Sequence, residues 1–286
     1  MEQNWLYYKL YAGPQIAEEF LTGPLAILIK DLIQKKLIRY WFFIRYIDPD
    51  YHLRIRLFPI NINSKDIISE KMDLLTKPWT GKKIIWKIQN DIYKRETERY
   101  GQLNMHNSEM LFYQDSEIII HFLQLNRKLK NEEYRWVFSL FLLDLYFEAF
   151  NFNINRKYEV LRKLRNAYYK EFHVTRFLKS QIDQKYRNHK KQVEAVLSKI
   201  GIEDMPFGSL INEFKDRIFP VANKIITCYD KRKIKIPIDE LVISYIHMSM
   251  NRLFRTRQRL HELIIYDFAF RYYESLIARK KHNRMK

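Results

Sequence analysis

Short runs rich in aromatic and β-branched residues near the start of the chain predict β-strands. These runs are residues 5–11, 41–46, 52–57 and 83–93. Asp48, Pro49 and Asp50 form a turn signal between the second run and the third. These two strands should therefore pair as an antiparallel hairpin.

Polar and apolar residues alternate along the third of these strands. His52, Arg54 and Arg56 are separated by leucine and isoleucine, so the three polar side chains should share one face of the sheet. A strand face with three cationic or titratable groups is expected where it borders solvent or a pocket.

Over most of the remaining chain, apolar residues recur every three to four positions, which predicts amphipathic helices. The first, residues 14–36, is interrupted at Gly23-Pro24 and should cover one face of the sheet. The later ones are residues 108–129, 132–150, 158–180, 184–200, 210–229 with an interruption at Pro220, 238–262 and 263–280.

Strands thus concentrate in residues 1–105 and helices in residues 106–286. This segregation predicts an α+β fold, in which an antiparallel or mixed sheet in the N-terminal third packs against a largely helical remainder. Since the sequence has no internal repeat and no long flexible linker, we expect residues 1–286 to form one domain.

The composition excludes a disordered chain and a disulfide scaffold. Hydrophobic residues make up 47% and aromatic residues 15% of the 286 positions, enough for a large core. Cys228 is the single cysteine, and no leader-like segment precedes the first strand, so we expect a cytoplasmic protein. The most apolar stretch, residues 136–150, is too short to cross a membrane and carries two acidic residues.

The formal net charge of +18 indicates attraction to acidic partners, which include nucleic acids, acidic peptides and acidic protein surfaces. Lysine and arginine are spread along most of the chain, and no known nucleic-acid-binding module is recognisable. Charge alone therefore leaves nucleic-acid binding open.

Residues 92–101 concentrate charged and aromatic groups that could line a pocket. Glu96 and Arg99 lie between Tyr93 and Tyr100, and a guanidinium there could grip a carboxylate through two parallel hydrogen bonds. A structural salt bridge would account for Glu96 and Arg99 equally well. The aromatic neighbours favour the pocket.

His247 is the best candidate for a general acid or base. Asn251 lies one helical turn further on, so both side chains should share a face. Together with Arg252 and Arg255 they form a polar stripe on an otherwise apolar helix. A lone histidine on such a helix is more often a packed core residue, so both interpretations stay open.

Signatures of metal and nucleotide sites are absent from the sequence. It contains no HExxH motif, glycine-rich phosphate loop, dinucleotide fingerprint or GxSxG motif, and one cysteine excludes a thiolate zinc site. We therefore expect no metal and no cofactor. Glu109 and Asp115 lie near the start of a predicted helix, where capping would account for them.

The order and spacing of several motifs resemble the C-terminal domain of the lantibiotic dehydratases, also called the thiopeptide-type bacteriocin biosynthesis domain. The motifs are residues 5–11, 41–57, 93–101, 109–116 and 247–254, and the resemblance covers nearly the whole chain. In nisin-type enzymes a larger domain esterifies peptide Ser and Thr with glutamate from glutamyl-tRNA. The domain resembled here then eliminates the glutamate and leaves dehydroalanine or dehydrobutyrine. The resemblance therefore implies a lyase, the free-standing half of a split dehydratase.

The resemblance also implies the site residues. Matched motif by motif, they are Arg54, Arg56, Glu96, Arg99 and His247. In the catalytic hypothesis Arg56 and Arg99 bind the glutamyl group and the charge it releases, Glu96 holds Arg99, and His247 moves the proton. The residues assigned to substrate binding are Arg54, Arg95, Tyr93, Asn251 and Arg252. One departure is Gln102, where family members usually continue the turn with a second glycine.

Two other functions stay open. Stand-alone relatives in thiopeptide pathways join two dehydroalanines by a formal 4+2 cycloaddition that builds a pyridine ring, although Arg56, Arg99 and His247 favour elimination. The other alternative is a non-catalytic basic protein that binds RNA or an acidic peptide. Elimination implies two partners, a glutamylated precursor peptide and a separate tRNA-dependent glutamylating subunit. An exposed sheet edge would also allow a homodimer.

Overall fold

One four-stranded sheet forms the N-terminal part of the computed structural model, which describes residues 5–201 and 203–284. The strands are β1 (Leu6–Ala12), β2 (Ile38–Ile47), β3 (Tyr51–Pro59) and β4 (Ile85–Asn90). Their order is β2-β3-β1-β4, and every neighbouring pair is antiparallel. The predicted hairpin between β2 and β3 and the predicted α+β class are both confirmed.

Helices occupy the connections within the sheet and nearly all of the chain after it. Between the strands lie α1 (Pro14–Phe20), a π-helical turn (Leu21–Leu25), α2 (Ala26–Gln34) and α3 (Asn63–Gly81). After β4 come α4 (Thr97–Tyr100), α5 (Met105–Leu129), α6 (Glu133–Ala149), α7 (Ile154–Glu171), α8 (Arg176–Ser198), α9 (Ser209–Asp230), α10 (Ile238–Leu253) and α11 (Gln258–Arg284). Within the described ranges, none of the helices is both long and apolar enough to span a bilayer.

Two predicted helix breaks are wrong. The break expected at residues 181–183 lies at residues 172–175, because the Thr175 side chain accepts a hydrogen bond from the Leu178 backbone N–H (3.3 Å) and begins α8. The last two helices meet at residues 254–257 and not after Glu262, which therefore belongs to α11.

The two prolines expected to interrupt helices, Pro24 and Pro220, are accommodated without ending a helix. Pro24 lies in the π-helical turn that joins α1 to α2, so the expected interruption is a local change of hydrogen bonding. Pro220 lies within an uninterrupted α9, which corrects the interruption predicted there. Helix α3 is an element that the apolar periodicity did not predict, because its buried Ile68 and Met72 are embedded among charged residues.

The two faces of the sheet differ in chemistry, as the alternation in β3 predicts. On one face Leu10, Leu53, Ile55 and Leu57 are fully buried, where α1 and α3 contact the sheet. The opposite face carries Arg56 and, next along β3, Arg54. This polar face is the one on which a site can be built.

Side chains from α5 and α10 seal the outer edge of β2. Ser116 Oγ accepts a hydrogen bond from the Phe43 N–H (3.4 Å), and Arg252 Nε donates to the Phe43 carbonyl (2.9 Å). The Asn251 amide accepts from the Arg45 N–H and donates to the Arg45 carbonyl, both at 2.9 Å. The helical part is thus bonded to the sheet through the backbone groups that an edge strand leaves free.

Glu18 on α1 holds three arginines from separate elements. Its carboxylate lies 2.8 Å from Arg45, 2.8 Å from Arg135 and 3.1 Å from Arg255. Burial opposes ionisation, but the three guanidinium groups prevail and lower the pKa of Glu18 from 4.5 to about 2. This carboxylate ties α1, β2, α6 and the turn between α10 and α11 together.

We expect acid to weaken the fold through Glu18. The folded pKa of Glu18, about 2, lies below its ordinary value of 4.5. At pH values above 4.5 its ionised carboxylate therefore contributes on the order of 3 kcal/mol to the free energy of unfolding. The contribution is lost as the pH falls from there toward the folded pKa. Glu18→Gln should lower the free energy of unfolding at pH 7, measured by urea denaturation, and flatten its fall in acid. Glu19→Gln is the matched control, and a pH dependence in Glu18→Gln equal to that of the unsubstituted chain would contradict the assignment.

Candidate functional site

Arg56, in the middle of β3, is a buried cation without a carboxylate partner among the described residues. Its guanidinium carbon lies 4.5, 4.8 and 5.1 Å from the ring centres of Tyr93, Tyr7 and Phe42, and its Nε has no hydrogen-bond partner. Burial lowers the pKa of Arg56, while Tyr93, Tyr7 and Glu96 oppose that shift. A guanidinium held by rings with its donors unused can receive an anion.

The cross-strand register builds two walls of this box, because Tyr7 and Phe42 flank Arg56 on β1 and β2. The third wall is Tyr93, from the loop after β4, whose ring packs edge-on against Trp5 (5.2 Å between ring centres) and Phe42 (5.8 Å). The box therefore depends on both the sheet and the loop.

A buried ion pair anchors the loop to α5. Arg95 donates two hydrogen bonds to Glu109, at 2.8 and 2.7 Å. Burial raises the pKa of Glu109, although the Arg95 guanidinium opposes this shift. Arg95, predicted to bind substrate, is thus engaged by Glu109 and holds the loop over Arg56.

Tyr100 and Gly101 fix the other end of the loop. The Tyr100 ring stacks on Tyr245 of α10, with ring centres 5.6 Å apart and planes 13° apart. Gly101 has φ +82°, in the left-handed region that favours glycine. Gln102, the departure from the family pattern, follows this turn and is exposed.

Glu96, Arg99 and Ser244 connect the loop to α10. Arg99 Nε donates to Ser244 Oγ (3.2 Å), and its Nη1 donates to a Glu96 carboxylate oxygen at 3.4 Å. The Arg99 side chain is 37% exposed, so its guanidinium is accessible. Because Glu96 also acts on the pKa of Arg56, its carboxylate lies within electrostatic reach of both arginines.

His247 follows Ser244 by one turn of α10, and its ring is held by α11. Its Nδ1 lies 2.9 Å from the Glu262 carboxylate, which is fully buried and also accepts from the Tyr266 hydroxyl (3.0 Å). A carboxylate accepts hydrogen bonds, so this pairing assigns the proton to Nδ1 and leaves the Nε2 lone pair free. The His247 side chain is 28% exposed, so the ring is accessible from solvent.

The structure thus brings Arg56, Tyr93, Glu96 and Arg99 together and links them through Ser244 to His247. Arg54 lies on the same sheet face, where its Nε donates to His52 Nε2 (3.1 Å) and its guanidinium carbon lies 3.4 Å from the Tyr46 ring centre. The remaining predicted residues, Asn251 and Arg252, point to the β2 edge. Arg252 is fully buried and paired with Asp115 (3.0 Å).

The capping roles predicted for Glu109 and Asp115 are wrong. Helix α5 begins at Met105, so both acids lie inside it, fully buried. Each pairs with an arginine from a different part of the fold, Glu109 with Arg95 and Asp115 with Arg252. Their position near an apparent helix start is incidental to these pairings.

Sequence reasoning missed four residues of the site: Tyr7, Phe42, Ser244 and Glu262. Tyr7 is on a predicted strand, but its place beside Arg56 depends on the β1–β3 register. Glu262 could have been found only with the turn at residues 254–257, which folds α11 back against α10. Within the described residues no group of three or more His, Cys, Asp or Glu side chains could hold a metal ion.

The turn at Gly101 should be sensitive to substitution. Gly101→Ala places a side chain at φ +82° and should lower the free energy of unfolding by about 1–3 kcal/mol. Gly81→Ala is the control, because its added Cβ would meet nothing within 4 Å and its φ lies outside the left-handed region. Urea denaturation of both variants tests the turn, and equal stabilities would show that the Gly101 conformation is unstrained for alanine.

Comparisons with known proteins agree on one family. A family model described as lantibiotic biosynthesis dehydratase C-term matches residues 5–273. Subtilin biosynthesis protein SpaB of Bacillus subtilis is 26% identical over 271 residues, and nisin biosynthesis protein NisB of Lactococcus lactis subsp. lactis is 28% identical over 267 residues. Each alignment covers 92% of this chain and 25% of the relative, so the chain spans about a quarter of the length of these relatives.

Solved structures share the fold. The tRNA-dependent lantibiotic dehydratase MibB from Microbispora sp. 107891 superposes with a TM-score of 0.77 at 18% identity, covering 98% of this chain and 29% of that one. The pyridine synthase TbtD from thiomuracin biosynthesis gives 0.72 at 12% identity, covering 95% of this chain and 98% of that one. TsrL gives 0.66 at 11% identity, covering 95% and 94%. At these identities the likeness concerns the fold.

Proposed function

The chain belongs to the lantibiotic biosynthesis dehydratase C-terminal family, and we propose that it is a lyase that eliminates glutamate from glutamylated Ser or Thr of a ribosomal precursor peptide. The products are free glutamate and dehydroalanine or dehydrobutyrine. The observation that carries this proposal is the unpaired Arg56 in its aromatic box, linked through Glu96 and Arg99 to the α10 face that bears His247. This elimination needs both an anion receptor and a base.

The elimination has defined chemical requirements. A base removes the Cα proton, the electron pair of that bond forms the Cα=Cβ double bond, and the Cβ–O bond breaks. The glutamate leaves as a carboxylate with the electrons of the Cβ–O bond. The site must therefore accept a proton, stabilise an enolate and receive a second carboxylate as it forms.

His247 fits the role of the base. Its Nε2 takes the Cα proton, and the Glu262 carboxylate on Nδ1 stabilises the imidazolium that forms. The same pairing fixes the tautomer and the ring orientation, so Glu262 acts as a positioning residue. Transfer of the proton to water restores the neutral ring.

In this proposal Arg56 and Arg99 each bind a different carboxylate of the glutamyl group. Arg56 is desolvated and has no counterion among the described residues. It therefore contributes most to stabilising charge that develops during bond cleavage, namely the charge of the leaving carboxylate. Arg99 is partly exposed and held by Glu96 and Ser244, which suits the carboxylate that glutamate carries throughout. Arg54 lies further along the same face and meets the peptide.

The remaining predicted substrate-binding residues have positioning roles in this proposal. Tyr93 forms a wall of the Arg56 box, and Arg95 holds the Tyr93 loop through Glu109. Asn251 and Arg252 hold α10 against β2. The glutamyl ester itself requires a tRNA-dependent glutamylating activity, and we propose a protein with that activity as the partner that supplies the substrate.

Removing the cationic and basic groups should stop elimination. Arg99→Ala and His247→Ala should each lower kcat for glutamate release from a glutamylated peptide by about a hundredfold or more. Mass spectrometry should then show glutamylated peptide accumulating at the expense of dehydrated peptide. Arg187→Ala, an exposed arginine on α8, is the control. Full dehydration by both site variants would refute the assignment.

Glu262→Gln separates positioning from folding. It keeps the size of the side chain and removes the charge that stabilises the His247 imidazolium, so kcat should fall by roughly tenfold to a hundredfold with KM nearly unchanged. Steady-state kinetics measures both constants, and circular dichroism checks that the thermal midpoint is retained. A rise in KM at unchanged kcat would place Glu262 in substrate binding and not in support of the base.

A pyridine-forming cycloaddition is the second candidate, favoured by the superposition on nearly the full length of TbtD. The two functions differ in substrate, so one pair of assays separates them. A glutamylated peptide should lose glutamate if the first proposal holds. A peptide that already contains two dehydroalanines should give a macrocyclic pyridine product if the second holds.

A further inference from the structure

The two edges of the sheet differ in how their backbone groups are hydrogen-bonded. The β2 edge is sealed by Ser116, Asn251 and Arg252. The β4 edge pairs with no further strand among residues 5–201 and 203–284. Four of its six residues are exposed, including Trp86 at 53%. An open edge is a template for another extended chain.

The register identifies the backbone groups on that edge. The Asp91 N–H donates to the Tyr7 carbonyl (3.0 Å), and bonding alternates along an antiparallel pair. Gln89, opposite Lys9, therefore bonds toward β1, whereas the N–H and C=O of Ile88 and Asn90 point outward. No described side chain or loop hydrogen-bonds to these outward groups.

The two sides of the edge carry opposite charges. A cavity of about 620 Å³ between α3 and β4 is lined by three carboxylates, Asp66, Glu70 and Asp73, and one lysine, Lys77, beside Leu74 and Ile88. Among the described residues these three carboxylates form no ion pair, in a chain with a formal net charge of +18. The other side is the face that bears Arg56, and there β4 presents a lysine and a glutamine.

We propose that β4 binds an extended segment of the substrate peptide as a fifth strand, with basic or apolar side chains at every second position directed into the α3–β4 cavity. The inference rests on the proposed function and names how the peptide is held. Outward groups of Ile88 and Asn90 supply backbone hydrogen bonds, and the carboxylates of Asp66, Glu70 and Asp73 select the charge of alternate side chains.

The geometry sets the distance between this segment and the reacting residue. Strands lie about 4.8 Å apart, so a fifth strand lies about 14 Å from β3 and its Arg56. At about 3.3 Å per residue, four or five extended residues cover that span. Chain continuity agrees, because β4 leads directly into the loop that carries Tyr93, Glu96 and Arg99.

Kinetics with peptides of different length tests the proposal. The short probe has one O-glutamyl-Ser with two residues on each side, and the long probes add ten residues of alternating Lys and Val before or after it. For the unsubstituted chain, one long probe should have a KM at least fivefold lower than the short probe, at equal kcat. A long probe with Glu in place of Lys should show a smaller decrease in KM relative to the short probe.

Proline at position 88 removes one outward N–H without removing a bond to β1. Ile88→Pro should abolish most of the advantage of the long probe, and Ile88→Ala, which keeps the N–H, should retain it. The kcat of Ile88→Pro on the short probe shows whether the variant is folded. Loss of glutamate from the short probe with no advantage of length, or an advantage that Ile88→Pro preserves, would overturn the proposal.

A measurement without substitutions covers the case in which Ile88→Pro does not fold or the chain releases no glutamate at all. Amide hydrogen exchange followed by NMR with the Lys/Val peptide should show new protection at Ile88 and Asn90, and none at Gln89, which is already bonded to β1. Unchanged exchange at Ile88 and Asn90 would overturn strand addition. A homodimer in sedimentation that Ile88→Pro dissociates would also overturn the proposal, because the β4 edge would then be occupied by a second copy of the chain.

Discussion

The fold keeps the Arg56 guanidinium in its interior without pairing it with a carboxylate from the part of the chain that the structure describes. Burying an unpaired charge costs free energy, so Arg56 must be stabilised by other groups. The faces of Tyr7, Phe42 and Tyr93 supply part of that stabilisation. An anionic substrate group would complete the stabilisation of Arg56. Catalysis requires that this group be bound more tightly in the transition state than in the ground state.

Other carboxylates of the interior are paired with other arginines. Glu109 pairs with Arg95 and Asp115 with Arg252, while Glu18 gathers three arginines. Each of these ion pairs joins different parts of the fold. Two carboxylates act on Arg56 electrostatically. Glu109, whose pKa Arg56 lowers, is already bonded to Arg95. Glu96 is 54% exposed and bonded to Arg99, so solvent weakens its effect.

The strands and their faces could be predicted from the sequence, because the alternation in β3 has a period of two residues and can be seen without knowing which strands pair. The long helix α5 could be predicted for a similar reason. The pairings that build the site could not, since Tyr7 meets Arg56 through strand register and His247 meets Glu262 through a turn with no strong local signal. For the same reason Glu109 looked like a cap when its partner, Arg95, lies in a different element.

Substitution of Arg56 by methionine tests the central claim most directly, because it replaces the cation with an apolar chain of similar length. If Arg56 is an unpaired charge kept for an anion, Arg56→Met should leave the free energy of unfolding in urea unchanged or higher. Glutamate release from a glutamylated peptide should fall by about a hundredfold or more. A variant that is strongly destabilised, or one that releases glutamate at the rate of the unsubstituted chain, would contradict the account.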